Sequence, residues 1–208
     1  MSIPPTDIHP TDAGSEKPLR AADRILQSAR ELFYRDGIRA VGVDEIVNRA
    51  GVTKPSLYRS FSSKDELAAS YLRLYQAEFW TRFEAAIALH PGDPRKQILE
   101  YLTSFAARAT KPDYRGCGLS NAGVEYPEPE HPARLVSEAH KRELRQRLRQ
   151  MAGEMGAADP AALGDGLLLL IEGTFITGQI FHGDGPATSL VKTATLLIDA
   201  SVGRDLRE

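Results

Sequence analysis

The chain reads as all-helical: a small helix-turn-helix head followed by a larger helical body, about nine helices in all. Three observations predict this. Apolar residues recur at i, i+3, i+4 and i+7 almost from end to end, and no segment alternates as a strand would. Glycines and prolines cut these stripes into helix-sized pieces. Residues 43–61, VDEIVNRAGVTKPSLYRSF, set two short amphipathic helices around one glycine.

In that stretch Val43, Ile46, Val47 and Ala50 share one face of a first helix. Gly51 ends it, because glycine accepts the left-handed conformation that a helix C-terminus often needs. Thr53 is a suitable N-cap for the second helix, with Lys54 and Pro55 in its first turn, where a missing N–H costs nothing. This second helix, 53–61, buries Leu57 and Phe61 and turns Lys54, Ser56, Tyr58, Arg59 and Ser60 elsewhere. A short helix with a cationic, hydroxyl-rich outer face after a tight glycine turn is the pattern of a helix-turn-helix that reads DNA.

The other helices follow in order. Ala22, Ile25, Leu26, Ala29, Leu32 and Phe33 make the stripe of a helix over 21–36, stopped by Gly37. Ser63-Lys-Asp-Glu66 is a capping box that opens a long helix carrying Leu67, Tyr71, Leu74 and Phe79 and running towards Leu89. After the break His90-Pro-Gly-Asp-Pro94 comes a helix over 94–110 with Ile98, Leu99, Leu102, Phe105 and Ala106 inward. Residues 111–132 are irregular, with a short helix near 119–124. A helix over 132–156 carries Leu144, Leu148, Met151 and Met155. Asp159-Pro160 opens the next, and the last spans 187–202.

Four prolines and few apolar residues mark 1–18 as a disordered arm; 19–75 is the head and 76–208 the body. The net charge of −2 hides a division. Residues 17–74 hold 11 Lys/Arg against 7 Asp/Glu, a net +4, and the remainder is acidic at −6. A basic end on an acidic body suits a protein that touches phosphate at one end. No signal-peptide pattern opens the chain. The most apolar segment, between Leu163 and Ile180, is interrupted by Asp165, Glu172 and Gln179, short of the uninterrupted run of about 18 residues that a membrane span needs. The single cysteine, Cys117, excludes an internal disulfide and suits a reducing cytoplasm.

Ile25-Leu-x-x-Ala29-x-x-Leu32-Phe33, Gly37, Val43-x-x-Ile46-x-x-x-Ala50-Gly51-Val52-x-Lys54 and Leu57-Tyr58-x-x-Phe61-x-x-Lys64-x-x-Leu67 together resemble the DNA-binding domain of the TetR/AcrR transcriptional regulators. The resemblance covers about residues 20–75 and agrees at fixed spacing across four helices; the later helices are similar in number and order. It implies a homodimer whose heads enter successive major grooves of a palindromic operator in double-stranded DNA. It implies a small-molecule effector held in each body, a dimer interface made mainly by the last two helices, and release of DNA when the effector binds, so that repression is the default. One departure stands out. Val41 and Gly42 stand where the family often places Thr or Ser, which caps the next helix and touches phosphate.

The DNA-binding candidates are Thr53, Lys54, Ser56, Tyr58, Arg59 and Lys64: Lys54, Tyr58 and Lys64 for phosphate, Arg59 and Ser56 for base edges. Tyr75, Phe79, Phe83, Tyr101, Phe105, Cys117, Asn121, Phe175 and Gln179 compete for two roles, lining a ligand pocket or filling the core. Leu167, Leu170, Phe175, Leu190, Ala194 and Leu197 are likewise divided between a dimer seam and the internal core. Lys141, Arg142, Arg145, Arg147 and Arg149 form a basic stripe, read as a solvated face rather than a second nucleic-acid surface. His131, His140 and His182 lack metal-ligand spacing and suit surface positions. With no nucleophile–base pattern, phosphate loop or metal cluster, the sequence predicts no enzyme, no cofactor and no metal. The rival readings are a small-molecule-binding or scaffold protein with weak DNA affinity, and a small helical enzyme.

Overall fold

In the computed structural model, residues 19–203 are described; the expected arm, 1–18, lies outside them. Among the described residues there are nine α-helices and no strand. They are α1 (Ala21–Asp36), α2 (Val43–Ala50), α3 (Lys54–Ser60), α4 (Lys64–Ile87), α5 (Pro94–Ala109), α6 (Gly118–Glu125), α7 (Pro132–Glu154), α8 (Pro160–Phe181) and α9 (Leu190–Ser201). The boundaries agree with the periodicity to within a few residues. The largest shift is at α9, which starts after a 3-10 turn at Pro186–Ser189.

The head closes around the stripes of its three helices. Ile25, Ala29, Leu32, Ile46, Val47 and Leu57 are buried together with Ile38 and Val41 from the connection between α1 and α2. Val41 is therefore a core residue, and Gly42 alone caps α2, through extended backbone and with no side-chain bond. Gly51 is left-handed at φ 61°, ψ 43°, and its N–H returns to the carbonyls of Val47 and Asn48. That bend sets α3 across α2, as a helix-turn-helix requires.

Helix α4 belongs to both parts. Its start packs under the head, and the rest lies against α5, α6 and α7. Ser63 accepts a hydrogen bond from Glu66 N at 3.1 Å, but the reciprocal half of the capping box is missing, because Glu66 accepts from Arg73 at 2.9 Å instead. In the body, α7 and α8 pack along their length, with α9 and α5 closing the far side.

Within Pro160–Asp184 an 18-residue stretch reaches a mean hydropathy of 1.4, long and apolar enough by length and composition to cross a membrane, which corrects the expectation from its interruptions. Asp165 and Glu172 are spent on helix packing. Both Arg145 and Arg149 reach Asp165 at 2.6 Å and hold its carboxyl well below the usual carboxylate range, and Lys141 reaches Glu172 at 2.6 Å. Arg142 and Arg147 face Glu138 and Glu84. The basic stripe of α7 is thus matched by acids from α4, α7 and α8; of its members Arg142 and Arg145 stand mostly in solvent, as expected, whereas Lys141, Arg147 and Arg149 are drawn into helix contacts.

Candidate nucleic-acid interface and body cavities

The outer face of α3 carries a small polar network. Thr53 Oγ1 lies 3.1 Å from Ser56 Oγ, which also accepts from Arg59 Nη2 at 2.9 Å. Ser60 Oγ donates to the Ser56 carbonyl at 3.1 Å. Thr53 forms no side-chain cap bond, so its hydroxyl belongs to this network. Tyr58 is half exposed and Arg59 is exposed beside it. Lys54 Nζ pairs with Asp44 at 2.8 Å, an exposed contact that phosphate can displace. Of the six DNA candidates, Thr53, Ser56 and Arg59 thus share one polar network, while Lys54 and Tyr58 are exposed on the same short helix. Lys64 stands apart: its Nζ donates to the Arg39 carbonyl at 3.3 Å, and burial lowers its pKa.

The contacts that tie this surface to the body could not be read from the sequence. Arg39 N donates to Glu125 Oε2 at 2.8 Å, and Arg39 Nη1 donates to the Glu125 carbonyl at 2.9 Å. Tyr34 Oη donates to the Gly116 carbonyl at 3.3 Å and accepts from Arg115 N at 3.1 Å; Tyr75 Oη donates to the same carbonyl at 3.2 Å. Gly116 has φ 73°, and a Cβ there would lie 2.1 Å from Gln179 Nε2 and 2.9 Å from the Phe175 carbonyl. Only glycine fits this junction. Burial raises the pKa of both Tyr34 and Tyr75, so both remain hydroxyl donors.

Two hollows among the described residues bear on the ligand candidates. The first, about 350 Å³, lies between α1, α4 and the segment after α5; Tyr34, Tyr71, Tyr75, Arg108 and Tyr114 are among its walls. The second, a groove of about 600 Å³ between α6, α7 and α8, includes Asn121, Lys141, Leu168, Glu172 and Ile176. Tyr75 and Asn121 thus line hollows, but different ones. Phe79, Phe83, Tyr101, Phe105, Cys117 and Phe175 line neither hollow and are buried in the core. The first four of these form a continuous aromatic stack, which is why helical spacing alone marked them. Gln179 also lines neither; it donates to the Phe175 carbonyl at 3.2 Å.

Four of the six seam candidates fall to the core side of the two roles. Leu167, Phe175, Leu190 and Ala194 are buried inside the chain, and Leu170 and Leu197 are half-buried. The outward apolar residues of α8 are Leu169, Ile176 and Ile180, with Phe181 at its end and Leu196 on α9. His140 is not at the surface either: it is fully buried, edge-on to Phe79 at 4.6 Å, with neither ring nitrogen hydrogen-bonded among the described residues. Burial, and then the nearby Lys141, push its pKa down to about 3.

Known proteins resemble the chain in sequence and in fold. The family described as bacterial regulatory proteins, tetR family, matches residues 25–71. A TetR transcriptional regulator of Streptomyces avermitilis is 34% identical, with a TM-score of 0.78 over 88% of this chain and 98% of that one. A TetR-family regulator of Streptomyces coelicolor is 29% identical, with a TM-score of 0.83 over 88% and 96%. The transcriptional repressor ComR of Escherichia coli is 27% identical over 76% of this chain and 79% of its own. The activator FasR of Mycolicibacterium smegmatis is 50% identical, but the match spans only 23% of that protein. With a helix-turn-helix at its front and relatives of this kind along its length, the chain belongs to the TetR family of DNA-binding transcriptional regulators.

Proposed function

We propose that the chain works in the cytoplasm as a homodimeric repressor, binds a palindromic operator through α3, and releases it when a small molecule enters the body. The observation that carries this reading is the Gly116 carbonyl, which receives Tyr34 from the head and Tyr75 from α4 beside an open hollow. A molecule that moves either tyrosine moves the head relative to the body. Leu169, Ile176 and Ile180 recur down one face of α8 and supply the apolar surface for a second copy, in place of the seam expected from the sequence. The likeness to ComR, which spans most of both chains, favours repression.

Selection of duplexes from a random pool, followed by titration at two salt concentrations, tests the proposal. The expected result is a palindrome bound by two chains, with affinity falling steeply as salt rises. A folded protein that enriches no sequence overturns the operator reading. Binding as a single chain overturns the dimer.

A further inference from the structure

The hollow between α1, α4 and the segment after α5 has chemistry of its own. Four tyrosines, Tyr34, Tyr71, Tyr75 and Tyr114, contribute to its walls, and Tyr34 and Tyr75 stack with centroids 6.2 Å apart at 29°. Tyr71 is 1% exposed, and its hydroxyl has no hydrogen-bond partner among the described residues; the Tyr114 hydroxyl is buried and unpartnered as well. Buried hydroxyls are normally satisfied, so two unpartnered ones on tyrosines of one hollow set those tyrosines apart as candidates to receive a ligand atom.

The charges around the hollow point the same way. Four cations and three carboxylates line it. Glu31 is paired with Arg49, and Glu78 with Arg30 at 2.6 Å. Asp113, the third, is exposed at the rim. Arg108 is half-buried and has no carboxylate partner among the described residues; its Nη1 donates only to the Ser104 carbonyl and hydroxyl, at 3.0 and 2.8 Å. A guanidinium partly withdrawn from water without a counter-charge favours the arrival of an anion, and its flat fork suits a carboxylate.

We propose that this hollow is the effector site and takes a small aromatic carboxylate, its ring against the tyrosine walls and its carboxylate towards Arg108 and the unpartnered hydroxyls. The proposal rests on the ligand-responsive reading above and adds the ligand's class and place. At about 350 Å³ the hollow is near the lower end of the range for small-molecule pockets. Because α1 supplies Tyr34 to the wall, the ligand touches the DNA-binding head directly.

The test titrates the full chain calorimetrically with benzoate and 3-phenylpropionate, with the corresponding neutral amides, and with benzyltrimethylammonium. Carboxylates are expected to bind and the other probes to bind at least about 10-fold more weakly. Arg108→Met should remove that preference. Tyr71→Phe should weaken carboxylate binding by about 10-fold while leaving the unliganded protein as stable as before, since the hydroxyl it removes has no partner. Equal binding of acid and amide, preference for the ammonium probe, binding unchanged in Arg108→Met, or no binding by any probe overturns the proposal. The same carboxylates are then added to the operator complex. Binding that obeys the two substitutions but leaves operator affinity unchanged supports the site and overturns the ligand-responsive reading instead.

Discussion

Arg39 and Glu125 hold each other twice. The Arg39 backbone N–H donates to the Glu125 carboxylate at 2.8 Å, and the Arg39 guanidinium donates to the Glu125 carbonyl at 2.9 Å. The first residue lies between α1 and α2 and the second ends α6, so the pair fastens head to body. Arg39 also sits 5.3 Å over the Tyr126 ring, which stacks on His131 at 3.8 Å. Glu125→Ala removes the carboxylate half. The expected loss is about 1 kcal/mol of stability, read by urea unfolding, with faster amide exchange confined to the connection between α1 and α2. Unchanged exchange there contradicts the fastening role.

Arg59 is held by Ser56 on the exposed face of α3. Arg59→Ala is expected to cost about 1–3 kcal/mol on the selected operator and much less on random duplex. Lys54→Ala should weaken both alike and lower the salt slope by about 1. Equal losses on both duplexes for Arg59→Ala assign Arg59 to phosphate.

Gly42 caps α2 with no side chain, and a Cβ there would meet nothing within 4 Å. Its backbone, φ −83° and ψ 154°, is open to any residue. Gly42→Ser is therefore expected to stabilise the protein by a few tenths of a kcal/mol, measured as a shift in the urea midpoint, and to tighten operator binding by adding a hydroxyl at the helix start. A lower midpoint contradicts the free cap.

His140 is buried and neutral, with its pKa pushed from the ordinary 6.5 down to about 3. Below pH 6.5 the unfolded chain takes up this proton and the folded chain does not, so stability falls as pH drops through the window from 6.5 towards 3. From pH 7.5 to 5.5 this amounts to about 1 kcal/mol. His140→Leu should flatten that part of the urea-derived stability profile. An unchanged slope places the proton elsewhere.

Ile176 is half exposed on the outer face of α8, whereas Leu167 on the inner face is fully buried. Ile176→Glu should leave the unfolding midpoint of the monomer nearly unchanged and shift sedimentation towards a single chain. Leu167→Ala should cost about 2–5 kcal/mol in stability through the cavity it leaves.

The head was the most legible part. Its helices are short and amphipathic, and Gly51 and the turn around it announce themselves locally, so the α3 face could be named before its geometry was known. Ser63 as a cap was legible for the same reason, but Glu66 found Arg73 instead. The clasp at Gly116 was not legible, because its donors lie 82 and 41 residues away along the chain.

Local residue pattern was enough to establish that the chain is helical, where its helices begin and end, and which short helix carries the exposed cationic and hydroxyl side chains. These follow from periodicity, caps and breakers, which act within a few residues. Tertiary structure alone decided which apolar residues face inward. Helix α8 is apolar nearly all round, so its pattern carries no phase. Only packing against α7 and α9 turns Leu167 and Phe175 into the core and leaves Leu169, Ile176 and Ile180 outside. The same packing buries His140 among aromatic rings and leaves the Tyr71 hydroxyl buried without a partner among the described residues, because burial is set by the neighbours that folding assembles.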